Sequence, residues 1–304
     1  MNTENNARSL AKRIMSKRRS EDGIYHQVYK KVVSHEARLP SLPDVAQKVR
    51  HAIANDGVGI KEMARIIQAD PSLAARIIRS ANSPLYRSAR PFNNVADAVK
   101  RMGTQVTRNL VYSHSLGALF NFRQVVLRDI ANELWQNSVQ TAAIASVLAV
   151  YSHGISADKA LLAALMQDIS VLPLLVEISE HFPEIAKEPG EVKKVLEAYK
   201  SKVGFHLLKV WGFEEEFLEV ARSRDDWMRA GSEKLDLADI VLLARWHACI
   251  GTRRLGSLPR VVDMPAYRKF PVNKLSPEQS LQVLEFAGEQ LKEITDMLGY
   301  AALH

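Results

Sequence analysis

Apolar residues recur along most of this chain at intervals of three and four, and nowhere do they alternate with polar residues for long. Helical spacing gathers apolar side chains on one stripe, whereas alternation would gather them on one face of a strand. The pattern therefore predicts an all-α protein of short helices joined by brief loops. Asp44–Ala54 and Ile60–Gln68 read as helices around a turn at Asn55-Asp-Gly57. Asp70-Pro71 opens the next helix, because the Asp carboxylate can accept from first-turn amides and a proline there loses no hydrogen bond. That helix carries Leu73, Ala74, Ile77, Ile78 and Ala81 on one face and stops at Asn82-Ser-Pro84. Asn93 or Asn94 can cap the following helix, Gly103 suits its end, and Thr104 can cap its successor.

Further helices are predicted over Asp129–Tyr151, Ala157–Met166 and beyond, Glu191–Trp211, Glu214–Met228 and Leu235–Ile250. The proline- and glycine-bearing stretch Gly251–Lys274 reads as a long loop, and Ser276-Pro277-Glu278 starts a last helix that runs to Leu298-Gly299. At the other end, Ala7, Leu10, Ala11, Ile14 and Met15 mark an amphipathic helix, followed by a second over Ile24–Ala37. Leu39-Pro-Ser-Leu-Pro43 is a rigid, non-helical entry to the body, since each proline fixes its own backbone and extends its predecessor.

Composition agrees with helices in a globular protein: 47% of the 304 residues are hydrophobic, 25% are charged and only 14 are glycine. The single cysteine, Cys249, excludes an internal disulfide and, in the apolar run Ile240–Ile250, reads as a small core residue. The longest uncharged stretch, Leu134–Ala157, contains Gln, Asn, Ser, Thr and His, so it reads as a buried helix and turn and not as a membrane span. The basic N-terminus has no apolar run behind it, so no secretion signal is expected and the cytoplasm of a bacterium is the expected location.

Charge changes the picture at one end only. Arg8, Lys12, Arg13, Lys17, Arg18 and Arg19 against Glu4 supply +5 of the net +7, leaving +2 for the other 284 residues. This arm, with Arg253, Arg254, Arg260, Arg268, Lys269 and Lys274 of the long loop, could touch a phosphate backbone; solvated charge is the plainer reading of each cluster. An acidic partner site or a membrane-surface helix are further readings of the arm, the latter weakened by its lack of Trp and Phe.

None of the nine histidines stands three or four residues from another, so local metal spacing is absent; His206 and His247 read as core residues. Glycine-rich phosphate loops and the Gly-x-Ser-x-Gly elbow are also missing.

Several segments nevertheless carry a family resemblance. Leu39-Pro-Ser-Leu-Pro43, Ala64-Arg-Ile-Ile67, Ala69-Asp-Pro-Ser-Leu73, Ser80-Ala-Asn-Ser-Pro84 with Tyr86, and Ala96-Asp-Ala-Val99 before Met102-Gly103 resemble, in order and spacing, the HDOD domain of bacterial signalling proteins. Leu134-Trp-Gln-Asn-Ser138, Ala163–Ser170, and Val203-Gly204 with Leu207, Leu208 and Trp211 resemble the HD-like core of the same domain. The resemblance implies an all-helical, two-lobed domain over residues 37–232. It divides into lobes 37–125 and 126–232, with a basic arm 1–36 before it and a helical continuation 233–304 after it.

The resemblance also implies descent from metal-dependent phosphohydrolases, whose ligands are histidines, a His-Asp pair and a later Asp. Here Asn137, Gln167, Lys200, the Arg224-Asp225 region and Arg245 align with ligand positions, and only Asp168 keeps its family identity. An amide oxygen replaces imidazole poorly at a transition metal, and lysine or arginine opposes a cation. Asp168 is then expected to cap a helix or pair with a base such as Lys200 or Arg245. The implied protein is a non-catalytic regulator without a catalytic residue, metal or cofactor, acting on a signalling or regulatory protein. Alternatives are a nucleotide- or nucleic-acid-binding regulator that uses the arm and the former cleft, and a residual phosphohydrolase.

Overall fold

A computed structural model of the chain describes residues 23–34, 39–54, 59–83, 86, 91–152 and 154–271, with isolated positions 283, 285, 288 and 292. The arm residues Arg8, Lys12, Arg13, Lys17, Arg18 and Arg19, the turn at 55–57, Lys274 and most of the last expected helix lie outside the described residues. All regular structure among the described residues is helical, as the periodicity requires.

Helix α1 covers residues 23–34. A smaller lobe follows from α2 (Asp44–Ala54), α3 (Gly59–Gln68), α4 (Pro71–Ala81) and the first half of α5 (Val95–Leu116). Its core joins Val49, Met63, Ile67, Leu73, Ile77, Val95, Val99 and Leu110. Helix α5 breaks at Gly103, whose φ of +82° lies where a side chain is strained, so the helix boundary expected there is present inside the element. Beyond the break α5 runs into the larger core through Tyr112 and Leu116, so a single element serves both lobes.

The caps behave as their chemistry demands. The Asp70 carboxylate accepts from the amides of Ser72 (2.9 Å) and Leu73 (3.1 Å), and Asn94 accepts from Asp97 N at 2.8 Å. Asn82 ends α4 and grips the backbone of Phe92, donating at 2.9 Å and accepting at 2.8 Å. Asp70→Ala should therefore cost about 1 kcal/mol in urea unfolding with the fold retained.

The larger lobe contains α6 (Val125–Ser152), α7 (Ala157–Met166), α8 (Val171–His181), α9 (Pro183–Ala186), α10 (Pro189–Val210), α11 (Glu215–Arg222), α12 (Leu237–Ala248) and α13 (Pro265–Lys269). Trp135, Phe120, Phe217, Leu148 and Leu162 are fully buried at its centre. Among the described residues one helical run, Ala157–His181, is long and apolar enough to cross a membrane, and its most apolar 18-residue window is 94% buried inside the protein. It is core.

Two expectations need correction. The helix expected over Glu214–Met228 ends at Arg222, where Ser223 closes it by bonding back to Glu219 O. The chain then turns and delivers Arg224, Asp225 and Trp227 inward. The long loop contains two short 3-10 turns, Arg253–Ser257 and Val261–Asp263, and then α13. Residues 23–34, which stand before the span of the resemblance, pack into the larger core through Tyr25, Val28 and Val32, and Tyr29 stacks on Tyr199 at 4.8 Å.

Candidate functional site

Every position that the resemblance aligns with metal ligands comes to one cleft in the larger lobe. Helix α6 is free of charge in its second half and presents Asn137 from its exposed side. Helix α7 ends at Met166, and the turn 167–170 carries Gln167 and Asp168 into the interior before α8 begins. Close approach of α10 to this turn depends on Gly204, where a β-carbon would meet Ser170 Cβ at 3.2 Å and Ala221 Cβ at 3.3 Å. Lys200 lies one turn upstream on α10, and Arg245 descends from α12.

Two adjoining hollows of about 230 and 260 Å³ open here and share Glu133, Leu134, Asn137, Arg224 and Arg254. Gln167, Asp168, Trp227, Arg245 and Cys249 line the first; Lys193, Glu197 and Lys200 line the second. Cys249 is thus a half-buried thiol at a cleft wall, not the core residue its apolar run suggested. His247 is a core histidine, with Nδ1 2.7 Å from Leu243 O. His206 is only half-buried and edges a separate hollow beside Tyr29.

The cleft is held by charge. Arg224 Nη2 stands 2.6 Å from Asp168 Oδ1, with both side chains about 5% exposed or less. Asp168 therefore pairs with Arg224, a partner not singled out for it in the sequence. Burial works to raise the Asp168 pKa, but Arg224, with Arg245 and Lys200 behind it, outweighs burial and holds it below the ordinary carboxylate value. The opposite carboxylate, Asp225, is 46% exposed and places the same oxygen 2.6 Å from Arg224 Nη1, 3.5 Å from Arg245 Nη2 and 3.8 Å from Lys200 Nζ. Arg245 also donates to Arg224 O and lies 4.9 Å over the Trp227 ring. In this cleft Gln167 Oε1 and Arg224 Nε are buried without a hydrogen-bond partner among the described residues.

Burial and then Arg224 lower the Lys200 pKa from 10.5 to about 8, against the weaker pull of Asp225 and Asp168. The unfolded chain keeps the lysine proton up to its higher pKa, so stability rises with pH across the interval from about 8 to 10.5. Below that interval Lys200 costs the fold on the order of 3 kcal/mol. Lys200→Met should then be more stable than the parent at pH 7, with the gap closing as the pH approaches 10. A gap in urea midpoints that stays constant between pH 7 and 10 would contradict this.

A divalent metal does not fit these residues. Asp168 is committed to a guanidinium, and the surrounding groups are two amides, a lysine and a second arginine. Among the described residues, no three His, Cys, Asp or Glu side chains are placed to hold an ion.

The loop cations are partly spent elsewhere. Arg260 pairs with Asp263 at 2.8 Å, and Lys269 reaches Asp239 at 3.0 Å. Arg253 and Arg268 are exposed, whereas Arg254 stands at the mouth of the cleft. The loop is therefore no continuous basic strip. Sequence reasoning missed the hub role of Asp225, the wall formed by Trp227 and the place of Arg254. The run Arg224-Asp-Asp-Trp227, with alternating functions packed into one turn, was the available signal.

Comparison with known proteins agrees with this architecture. A protein of Shewanella amazonensis SB2B, provisionally named a metal-dependent phosphohydrolase, superposes with a TM-score of 0.76 at 26% identity, over 91% of this chain and 99% of that one. An HDOD domain protein of unknown function from Geobacter sulfurreducens superposes at 0.61 with 20% identity, over 91% and 98% of the two chains. An uncharacterized protein of Treponema pallidum (strain Nichols) is 24% identical over 223 residues, 68% of this chain; the match spans only 41% of that relative's length. The model of the HDOD domain matches residues 39–227, so the chain belongs to the HDOD domain family.

Proposed function

We propose that this chain is a non-catalytic regulatory module of bacterial signal transduction that acts in the cytoplasm through contact with a partner protein. The observation that carries the reading is the buried Arg224–Asp168 pair at 2.6 Å. A hydrolase of the HD type needs several neutral or anionic ligands converging on a cation that activates water. Here a guanidinium takes the one remaining carboxylate, so the HD scaffold is used as a rigid body.

Support for protein contact comes from the smaller lobe. There α2 and α3 enclose an open groove of about 790 Å³, with Val45, Ala52 and Ile66 on its floor and Lys48, Arg65 and Asp70 on its rim. Apolar floors with charged rims are the usual anatomy of transient interfaces.

Metal content and hydrolysis of a model phosphodiester by the purified full chain test the first half. Less than about one-tenth equivalent of iron, manganese or zinc is expected, with no turnover above buffer. Stoichiometric metal that disappears in Asp168→Ala, together with turnover, would overturn the reading. The second half is tested by capture from nuclease-treated lysate. A discrete protein retained by the parent and lost with Ile66→Asp is expected; retention unchanged by that substitution would remove the groove from the proposal.

A further inference from the structure

We propose that the hollow lined by Lys200, Arg224 and Arg254 binds a phosphomonoester dianion, with Asp225, which pairs with Arg224 and Lys200 from outside the hollow, as the carboxylate that competes for the same cations. The inference rests on reading the cleft as non-catalytic, because a phosphate and a divalent metal demand opposite charge at the same spot.

The geometry argues for an anion in three ways. One carboxylate oxygen of Asp225 serves three cations at 2.6, 3.5 and 3.8 Å. Only the first is hydrogen-bond distance, so Arg245 and Lys200 are drawn towards a centre of negative charge that one oxygen cannot fill. A phosphate offers three acceptor oxygens, and the hollow that Lys200, Arg224 and Arg254 line has a volume of about 260 Å³ to hold it. Second, Asp225 is itself 46% exposed, its other oxygen held only by a 3.3 Å bond from Ser201 Oγ, so it can turn towards solvent, whereas Arg224 is held by Asp168 and Arg245 by Arg224 O and the Trp227 ring. Third, Arg254 at the mouth forms no ion pair among the described residues, while its neighbour Lys193 is paired with Glu133 at 2.8 Å. Glu197, on the outer wall, opposes the anion; among the described residues lining this hollow it is the one carboxylate without an ion pair.

Lys200 adds a thermodynamic argument. Its charge is held in a site that depresses its pKa to about 8, so the fold keeps it at a cost that a bound anion would offset. The two hollows, about 230 and 260 Å³, jointly match a small-molecule site of roughly 300–1,000 Å³. Arg224 is only 5% exposed, so a phosphate must enter the hollow to meet it. Trp227 and Leu134 offer an apolar wall to the organic part of the ligand.

Calorimetric titration of the full chain at pH 7 and constant ionic strength tests this, with inorganic phosphate, a nucleoside 5′-monophosphate and a sugar 6-phosphate as separate probes. Released phosphate is measured in the same samples. At least one probe should bind without hydrolysis. Lys200→Gln should weaken it about tenfold and Arg254→Gln by a smaller factor. Asp225→Asn, which removes the competing carboxylate, should tighten it several-fold, about three to ten. Arg254→Gln changes an exposed residue, so its effect is readable even if a buried variant misfolds. A nucleotide that outbinds the sugar phosphate names the ligand class as nucleotide, and the converse names a phosphorylated metabolite; either supports the site. No binding of any probe at millimolar concentration, or binding indifferent to all three substitutions, overturns the phosphate site and leaves the non-catalytic reading standing. Phosphate release that requires added metal overturns both.

Discussion

Arg224→Met should destabilise the protein by about 3–5 kcal/mol, the cost of leaving a buried carboxylate without its cation. The reason lies in asymmetry. Arg224 and Asp168 are almost fully buried, and their 2.6 Å contact offsets the desolvation of both. Removing one partner leaves Asp168 with the more distant Arg245 and Lys200 as compensation. Removing both should be far milder, so Arg224→Met with Asp168→Asn is expected to recover about 2 kcal/mol or more of the loss. Urea unfolding of the two single variants and the double variant closes the cycle, and additive losses would show that the pair does not couple. The single variant should also become sensitive to acid in the opposite sense from the parent. In the parent the Asp168 pKa is depressed, so stability present at neutral pH is lost as pH falls through the folded pKa. Without Arg224, burial dominates and protonation of Asp168 relieves the fold, so mild acid should narrow the difference between variant and parent.

The second large effect belongs to a charge cluster on the far side of α11. Arg229 is 6% exposed and bonds Asp236 at 2.8 Å and Asp239 at 2.7 Å, with Glu219 at 3.3 Å. Asp239 is completely buried and also receives Lys269 at 3.0 Å. The same two aspartates form the capping box of α12, since Asp236 accepts from Asp239 N at 2.9 Å and Asp239 from Asp236 N at 3.1 Å. Arg229 therefore ties the end of α11 to the start of α12, and Lys269 ties α13 to the same carboxylate. Arg229→Met should cost about 3 kcal/mol or more, because Asp239 keeps one cation in place of two. For a domain of this size that corresponds to a fall in Tm of roughly 6–12 °C. Asp239→Asn in the same background should return part of it. Thermal unfolding checks both variants, and a Tm within about 2 °C of the parent would show the cluster to be ornamental to stability. The cleft should be untouched, so any phosphate affinity of this variant should equal that of the parent.

These two clusters mark the boundary of what a linear reading reaches. Helix periodicity is local: each turn of α2, α4 or α10 repeats its apolar residues within four positions, and a cap such as Asp70 acts on amides two and three residues away. Local rules of this kind were enough for the all-α class, most helix limits and the break at Gly103. The resemblance, carried by spaced motifs, was enough to name the six positions that converge on the cleft. The helix end at Arg222 escaped because a polar run can continue a helix or leave it, and the choice depends on where Arg224 finds Asp168, far away in sequence.

The sequence by itself determined a helical HDOD chain, because residue identity and short-range spacing survive without coordinates. Only the tertiary structure decided that Asp168 pairs with Arg224, that three cations share one oxygen of Asp225, and that residues 23–34 belong to the core. Those outcomes depend on distances between segments tens of residues apart. Coulomb energy and desolvation are set by such distances and by burial, and neither quantity is written in the order of the residues.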